Sequence, residues 1–403
     1  MGLKILFFLF VTGFIAYYIY TPLPDAMEQK LKVMMIDAVT RTLYNVVGFV
    51  ELLGLKPYIH ALMLFSRGED VAAVSDENVT VTDTVFNGIP VRVFIPTKQN
   101  KDRRRGLLYF HGGGWCTGSA GMNTYDLLAR MTANAIDAVV VSVSYRLAPE
   151  YHFPTQFEDV YTVTKYFLQD HVLSEYFVDR DRIGVSGDSA GGNLAAAVVL
   201  QVQEDKNIDI QLKVQALIYP ALQAVDFDTP SYQQNKHMPL LSRSLMVRFW
   251  SEYFTNDTAL YKSMMSNRFI PLASRHTFAF VNWEKYLPEK FRKGHIYSGP
   301  QYGNADLLNK YPGILDSRAC PLLAEETKLK TLPKTYVITC EYDVLRDDGI
   351  MYVSRVKEAG IHVTHYHCET CFHGILMFEP WPFYLEAAHK VLINYINWLD
   401  ANL

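Results

Sequence analysis

The sequence predicts an α/β protein: a mostly parallel central sheet flanked by helices on both faces, with a helical cap and a preceding transmembrane helix. Three observations carry this. From Gly106 onward, strand-length apolar runs alternate with helix-length periodic stretches, a pattern that builds a parallel sheet covered on both sides. One run, Ala138–Val143 (AVVVSV), is almost continuously β-branched, as a strand buried on both faces should be. The third is an uncharged apolar run at the start of the chain, Ile5–Tyr20.

That run ends in Tyr17, Tyr18 and Tyr20, where the aromatic belt of a membrane interface belongs, and Lys4 before it can snorkel. A cleaved signal peptide needs small residues at its cleavage site, whereas bulky tyrosines and Thr21-Pro22-Leu23-Pro24 stand here. Residues 1–22 are therefore expected to be a signal-anchor, with secretion after cleavage as the alternative. The cationic N-terminus favours translocation of residues 23–403. Two N-x-T tripeptides, at Asn78 and Asn256, are candidate glycosylation sites on that side. No second apolar run of anchor length is evident in the sequence, so a soluble body is expected.

In the body, residues 26–75 show helical periodicity, for example over Met34–Leu53. Asn87-Gly88 between Val79–Thr84 and Val91–Ile95 predicts a hairpin. Later strands are expected at Leu107–Phe110, Ala138–Val143, Arg182–Ser186, Val214–Tyr219, Thr335–Thr339 and Val363–His367. Helices are expected at Tyr125–Ala135, Phe157–Leu168, Asn193–Val202, Gly349–Ala359 and Pro382–Asp400. More than a hundred residues separate Val214–Tyr219 from Thr335–Thr339, too many for a plain loop. Residues 224–320 are accordingly expected to be a mostly helical cap, packed with 26–75 over the strand ends. Composition supports a globular chain: 403 residues, 49% hydrophobic and 20% charged. The net charge of -4 leaves no broad basic surface, so no nucleic-acid partner is expected.

The chemistry sits in two glycine-rich turns. Gly187-Asp188-Ser189-Ala190-Gly191 follows one predicted strand and opens a helix, a turn that projects a serine hydroxyl from a strained corner. His111-Gly112-Gly113-Gly114-Trp115 follows another strand. Residues without side chains let backbone N–H groups approach a developing oxyanion, joined by the N–H of Ala190. A nucleophilic serine needs a base, and the base an orienting acid. Asp343 and His373 follow successive strands in the required chain order. Asp347, Asp348 and Glu341 are rivals for the acid, and His365 and His367 for the base. His365, His367, Cys368, Cys371 and His373 are also metal-ligand types, but their spacing matches no standard zinc pattern, and no metal is expected.

His111–Trp115 with Gly187–Gly192 (G-D-S-A-G-G), Tyr145–Pro149 (Y-R-L-A-P) and His152-Phe153-Pro154 resemble the hormone-sensitive-lipase-like group of α/β-hydrolases. Within it, the anchor, Tyr20–Pro24, Ser75–Thr82 and Leu345–Gly349 are similar to the arylacetamide deacetylase branch. The resemblance implies an α/β-hydrolase fold and a single-pass, type II endoplasmic-reticulum membrane protein with a luminal catalytic domain. It implies a Ser189–Asp343–His373 triad, with Gly113, Gly114 and Ala190 as principal oxyanion donors and Gly112 supporting the turn. No cofactor is implied. One departure stands out: the group usually reads E-D-G-x-H-G before the histidine, and here Glu369-Thr370-Cys371-Phe372-His373-Gly374 puts Thr-Cys for Asp-Gly. If that glycine needs positive φ, Cys371 adds strain.

Five cysteines leave at least one unpaired. Cys116 follows the oxyanion loop and Cys340 ends the strand before Asp343, so a Cys116–Cys340 disulfide is hypothesised, against two free thiols. Cys368 and Cys371 are a second candidate pair. The expected activity is hydrolysis of small-molecule esters and arylamides through an acyl-enzyme on Ser189. Its rivals are a neutral-lipid lipase at the membrane face and a non-catalytic ligand-binding protein. Oligomeric state is not legible.

Overall fold

The computed structural model describes residues 2–98, 102–297, 299, 301–303 and 305–403. Eight strands form one sheet: β1 (Val79–Phe86), β2 (Ile89–Pro96), β3 (Arg104–Phe110), β4 (Ala138–Val143), β5 (Val178–Asp188), β6 (Val214–Ile218), β7 (Lys334–Tyr342) and β8 (Val363–Phe372). Their spatial order is β1-β2-β4-β3-β5-β6-β7-β8. β1 and β2 are antiparallel, as are β2 and β4; the remaining pairings are parallel. The β1–β2 turn falls on Asn87 and Gly88, both at positive φ, as a tight two-residue hairpin demands.

Alternate residues of the central strands feed two cores. Leu108, Phe110, Val141 and Val185 face one, and Leu107, Tyr109, Val140 and Ala216 face the other. The first core is closed by α5 (Thr155–Phe167), α6 (Ala190–Glu204) and α8 (Arg346–Glu358), the second by α4 (Asn123–Ile136) and α9 (Glu386–Asn402). This two-sided cover explains why β4 has no exposed position and why its sequence does not alternate.

Ahead of the sheet lie α1 (Gly2–Ile19), α2 (Lys30–Leu52) and α3 (Tyr58–Arg67). The 224–320 segment consists largely of short helices, of which α7 (Arg243–Phe254) is the longest α-helix among the described residues. It is bonded to the N-terminal helices: the Tyr44 hydroxyl donates to the Leu240 carbonyl at 2.7 Å, and Arg248 meets Glu51 at 3.2 Å.

Three expectations need correction. α9 begins at Glu386 rather than at Pro382, because the prolines at 380 and 382 disfavour helix there. The expectation of a single anchor-length apolar segment also fails. α2 is 23 residues long and by length and composition apolar enough to cross a membrane, although Val33, Ile36 and Val47 are buried against the body. Finally, Cys116 and Cys340 are both buried free thiols, one in each core, so the sheet lies between them. The disulfide joins Cys368 to Cys371 instead.

Candidate active site

Ser189 occupies the turn between β5 and α6 at φ 54°, ψ -118°, a strained conformation for a residue with a Cβ. The turn is tight because its glycines have no room for side chains. A Cβ on Gly191 would lie 2.0 Å from the Phe110 carbonyl oxygen, and one on Gly187 would lie 2.3 Å from that of Gly191. Ser189 thus stands at the N-terminus of α6, whose dipole and free N–H groups favour negative charge.

The structure brings Ser189, Asp343 and His373 together from three strand ends. His373 Nε2 lies 2.9 Å from Ser189 Oγ, and its Nδ1 lies 2.8 Å from Asp343 Oδ2. This geometry fits Nδ1–H donating to the carboxylate and Nε2 accepting the serine proton. The other oxygen of Asp343 accepts the Leu345 N–H at 2.8 Å, and Asn235 donates to the carbonyls of Glu341 and Asp343, holding the acid's loop. All three side chains are buried, so water screens their interactions little.

The rival residues point elsewhere. Asp347 accepts from the Ser231 N–H and from Arg346. Asp348 accepts from the Leu222 N–H and Gln223, and burial pushes its carboxyl up to about 8. Glu341 bonds His367 at 2.8 Å and Arg346 at 3.0 Å. His365 and His367 both bond the Thr339 hydroxyl, at 2.8 Å each. The ligand-type residues grouped in the sequence are therefore divided between that network, the disulfide and the Ser189–Asp343 pair. The alternation of β8 accounts for part of this division.

The glycine loop faces Ser189. Gly113 and Gly114 have positive φ, 108° and 61°, and side chains there would strike Thr117 and the Phe249 ring. Among the described residues, no protein acceptor takes the N–H of Gly113, Gly114 or Ala190. Gly112 differs: its N–H lies 2.8 Å from Asp188 Oδ1 and 2.9 Å from the Tyr125 hydroxyl, so it holds the loop. His111 is buried and stacked 4.3 Å from the Tyr145 ring, and burial lowers its imidazole to about 4, keeping it neutral.

Sequence reasoning passed over Asp188 as a side chain with a task, although it stands in the serine motif. It is buried, accepts from Tyr109, Gly112 and Tyr125, and burial raises its carboxyl to about 6, while the field of His373 acts to lower it. Tyr219 was also missed; its ring packs edge-on against His373 at 4.9 Å. No spacing pattern would have flagged the tyrosines. The strain expected at Cys371 is absent: positive φ occurs neither there nor at Thr370, but at Gly374.

A family model described as alpha/beta hydrolase fold matches residues 107–281 and 281–377. Arylacetamide deacetylase of Bos taurus is 55% identical over 396 residues, covering 98% of each chain. The chain belongs to the arylacetamide deacetylase family. Neutral cholesterol ester hydrolase 1 of Bos taurus, 45% identical over 96% of each chain, is a more distant relative of this family member. Among solved structures, a thermostable esterase from Pseudomonas putida superposes with a TM-score of 0.63 at 25% identity, covering 90% of this chain and 97% of its own. The match runs through both glycine turns and through Asp343 and His373.

Proposed function

We propose that this chain is a membrane-anchored serine hydrolase that cleaves carboxylic esters and arylamides through an acyl-enzyme on Ser189. The observation that carries this is the continuous Ser189–His373–Asp343 hydrogen-bond chain beside backbone N–H groups that have no protein acceptor among the described residues. His373 Nε2 takes the hydroxyl proton as Ser189 Oγ attacks the acyl carbon. The N–H groups of Gly113, Gly114 and Ala190 stabilise the oxyanion, with Gly112 fixing their loop. His373 passes its proton to the departing alcohol or amine. Water then repeats the sequence and frees the acid, with Asp343 steadying the imidazolium in both halves.

Residues 1–22 serve as the anchor, and 23–403 form one catalytic domain in which 26–75 and 224–320 make the cap. We place the domain in the lumen of the endoplasmic reticulum. The apolar N-terminal helix and the exposed positions of Asn78 and Asn256, both candidates for glycosylation, support that side. The name arylacetamide deacetylase supports small acyl groups on apolar leaving parts, and another relative is named for cholesterol esters.

The test compares hydrolysis of a short-acyl arylester, an arylamide and a long-chain triacylglycerol emulsion by the full-length chain and by Ser189→Ala. The proposal expects Ser189-dependent turnover of the first two. Turnover confined to the emulsion would establish the lipase reading instead.

A further inference from the structure

The outward side of α2 carries an apolar stripe, bordered by exposed Lys32 and Asn45, and among the described residues its apolar side chains are left uncovered. Leu31, Met35, Val39, Val46, Phe49 and Leu53 are exposed at spacings of four, four, seven, three and four. At about 100° per residue they fall within an arc of about 80°. The one polar position in that arc, Thr42, bonds the Tyr18 hydroxyl at the end of α1 at 2.8 Å. Arg41 fixes the same junction by donating to the Tyr18 carbonyl, and Thr21 bonds Asp37. The stripe is therefore continuous with the end of the anchor helix.

A second segment, remote in sequence, lies beside it. Trp381 is 86% exposed, and Phe383 is exposed as well. Their loop is joined to the first turns of α2: Lys32 donates to the Tyr384 carbonyl, and the Glu386 N–H donates to Gln29. Exposed tryptophan and phenylalanine next to an apolar helical stripe have the composition of a lipid-contacting surface.

We propose that α2 and the Trp381–Phe383 loop lie in the bilayer interface as a second membrane contact, parallel to the surface that α1 enters. This rests on the membrane-anchored hydrolase reading and deepens it, since the contact would orient the cap toward lipid. The occupant is a phospholipid surface because the stripe runs on from the anchor and the loop adds aromatic residues at the same place. α2 does not span, because its opposite face packs into the body through Val33, Ile36 and Val47. The contact lies close to the chemistry. Tyr44 of α2 bonds Leu240, whose side chain packs against Gly374, the residue after His373.

The test places one cysteine at a time in the full-length chain, reconstituted in phosphatidylcholine liposomes and labelled with a fluorophore. The positions are Phe49→Cys, Trp381→Cys, Phe10→Cys in the anchor and Lys206→Cys on the exposed body. The native free thiols are buried and leave the label to the introduced site. Labels at 49 and 381 are expected to be quenched by acyl-chain-brominated lipid, as at 10, and shielded from aqueous iodide. Quenching at 10 alone, with 49 and 381 behaving like 206, would overturn the inference and leave the anchor intact. Shielding from iodide without lipid quenching would also overturn it, in favour of a second copy of the chain. Quenching at 49 and 381 without quenching at 10 would retain the interfacial contact and overturn the anchor reading.

Discussion

The Asp188 carboxylate accepts the Gly112 N–H at 2.8 Å, joining the nucleophile turn directly to the glycine loop that faces it. One buried acid thereby ties the turn that carries Ser189 to the loop whose N–H groups are proposed to receive the oxyanion. The same carboxylate takes the Tyr109 and Tyr125 hydroxyls, so its hydrogen bonds are supplied by residues from β3, the loop after it and α4.

Asp188→Asn should separate charge from shape. Burial raises the Asp188 carboxyl to about 6, so its ionised form costs stability in the fold. Its contribution is most favourable below the unfolded value near 4 and is lost as pH rises through 6. The variant should therefore be more stable than wild type at pH 8, by on the order of 2–3 kcal/mol, with the difference shrinking toward pH 4. Its kcat should fall by roughly tenfold, because a negative charge facing the His373 imidazolium is gone. Denaturation curves at several pH values check this; a pH-independent difference would remove the charge argument.

Asp343→Asn and Asp348→Asn should have opposite consequences. Losing the acid that orients His373 should lower kcat by about 10⁴. Asp348 accepts from the Leu222 N–H and Gln223 and does not touch His373, so its amide would disturb that local bonding but not the orientation of the base. That variant should keep kcat within about threefold, lose stability through the acceptor it no longer offers, and be less sensitive than wild type to the stability lost as pH rises through 8. Comparable losses in both variants would mean the acid has been misassigned.

Gly114→Ala should cost about 10²- to 10³-fold in kcat, the loss seen when an oxyanion donor is displaced. The new Cβ would fall 2.3 Å from the Phe249 ring at a φ of 61°. Adding Phe249→Ala opens the space but leaves the φ requirement, so part of the activity should return. Steady-state kinetics on a soluble ester measure both effects, and an unimpaired single variant would dismiss the loop as an oxyanion site.

Non-reducing peptide mapping should find Cys368 joined to Cys371, with Cys116, Cys320 and Cys340 alkylated only after unfolding. Because the closed loop is short, a Cys368→Ala/Cys371→Ala chain should lose only about 2 kcal/mol. Recovery of a Cys116–Cys340 peptide would contradict the placement of those thiols in separate cores.

What the sequence made legible was whatever depends on local pattern. The alternation of runs gave the sheet, Asn87-Gly88 the hairpin, and the two glycine motifs the positions of Ser189 and its facing loop. Asp343 and His373 could be chosen over their rivals because they follow strands in the order the chemistry needs. Relations across the sheet stayed hidden. Cys116 and Cys340 looked like neighbours because both flank strand ends, yet the turn after β3 packs Cys116 into one core while Cys340 of β7 faces the other. Asp188, Tyr109 and Tyr125 converge from three elements, and no linear spacing records that. The length of β8 was underestimated because Cys368–Phe372 read as the loop leading to His373, whereas these residues continue the strand beside β7.

The central claim is that Ser189 is an activated nucleophile, and fluorophosphonate labelling of the full-length protein in membranes, beside Ser189→Ala, tests it most directly. The account predicts rapid covalent labelling of the wild type and none of the variant. Failure of folded wild type to label, or labelling that survives in Ser189→Ala, would contradict it.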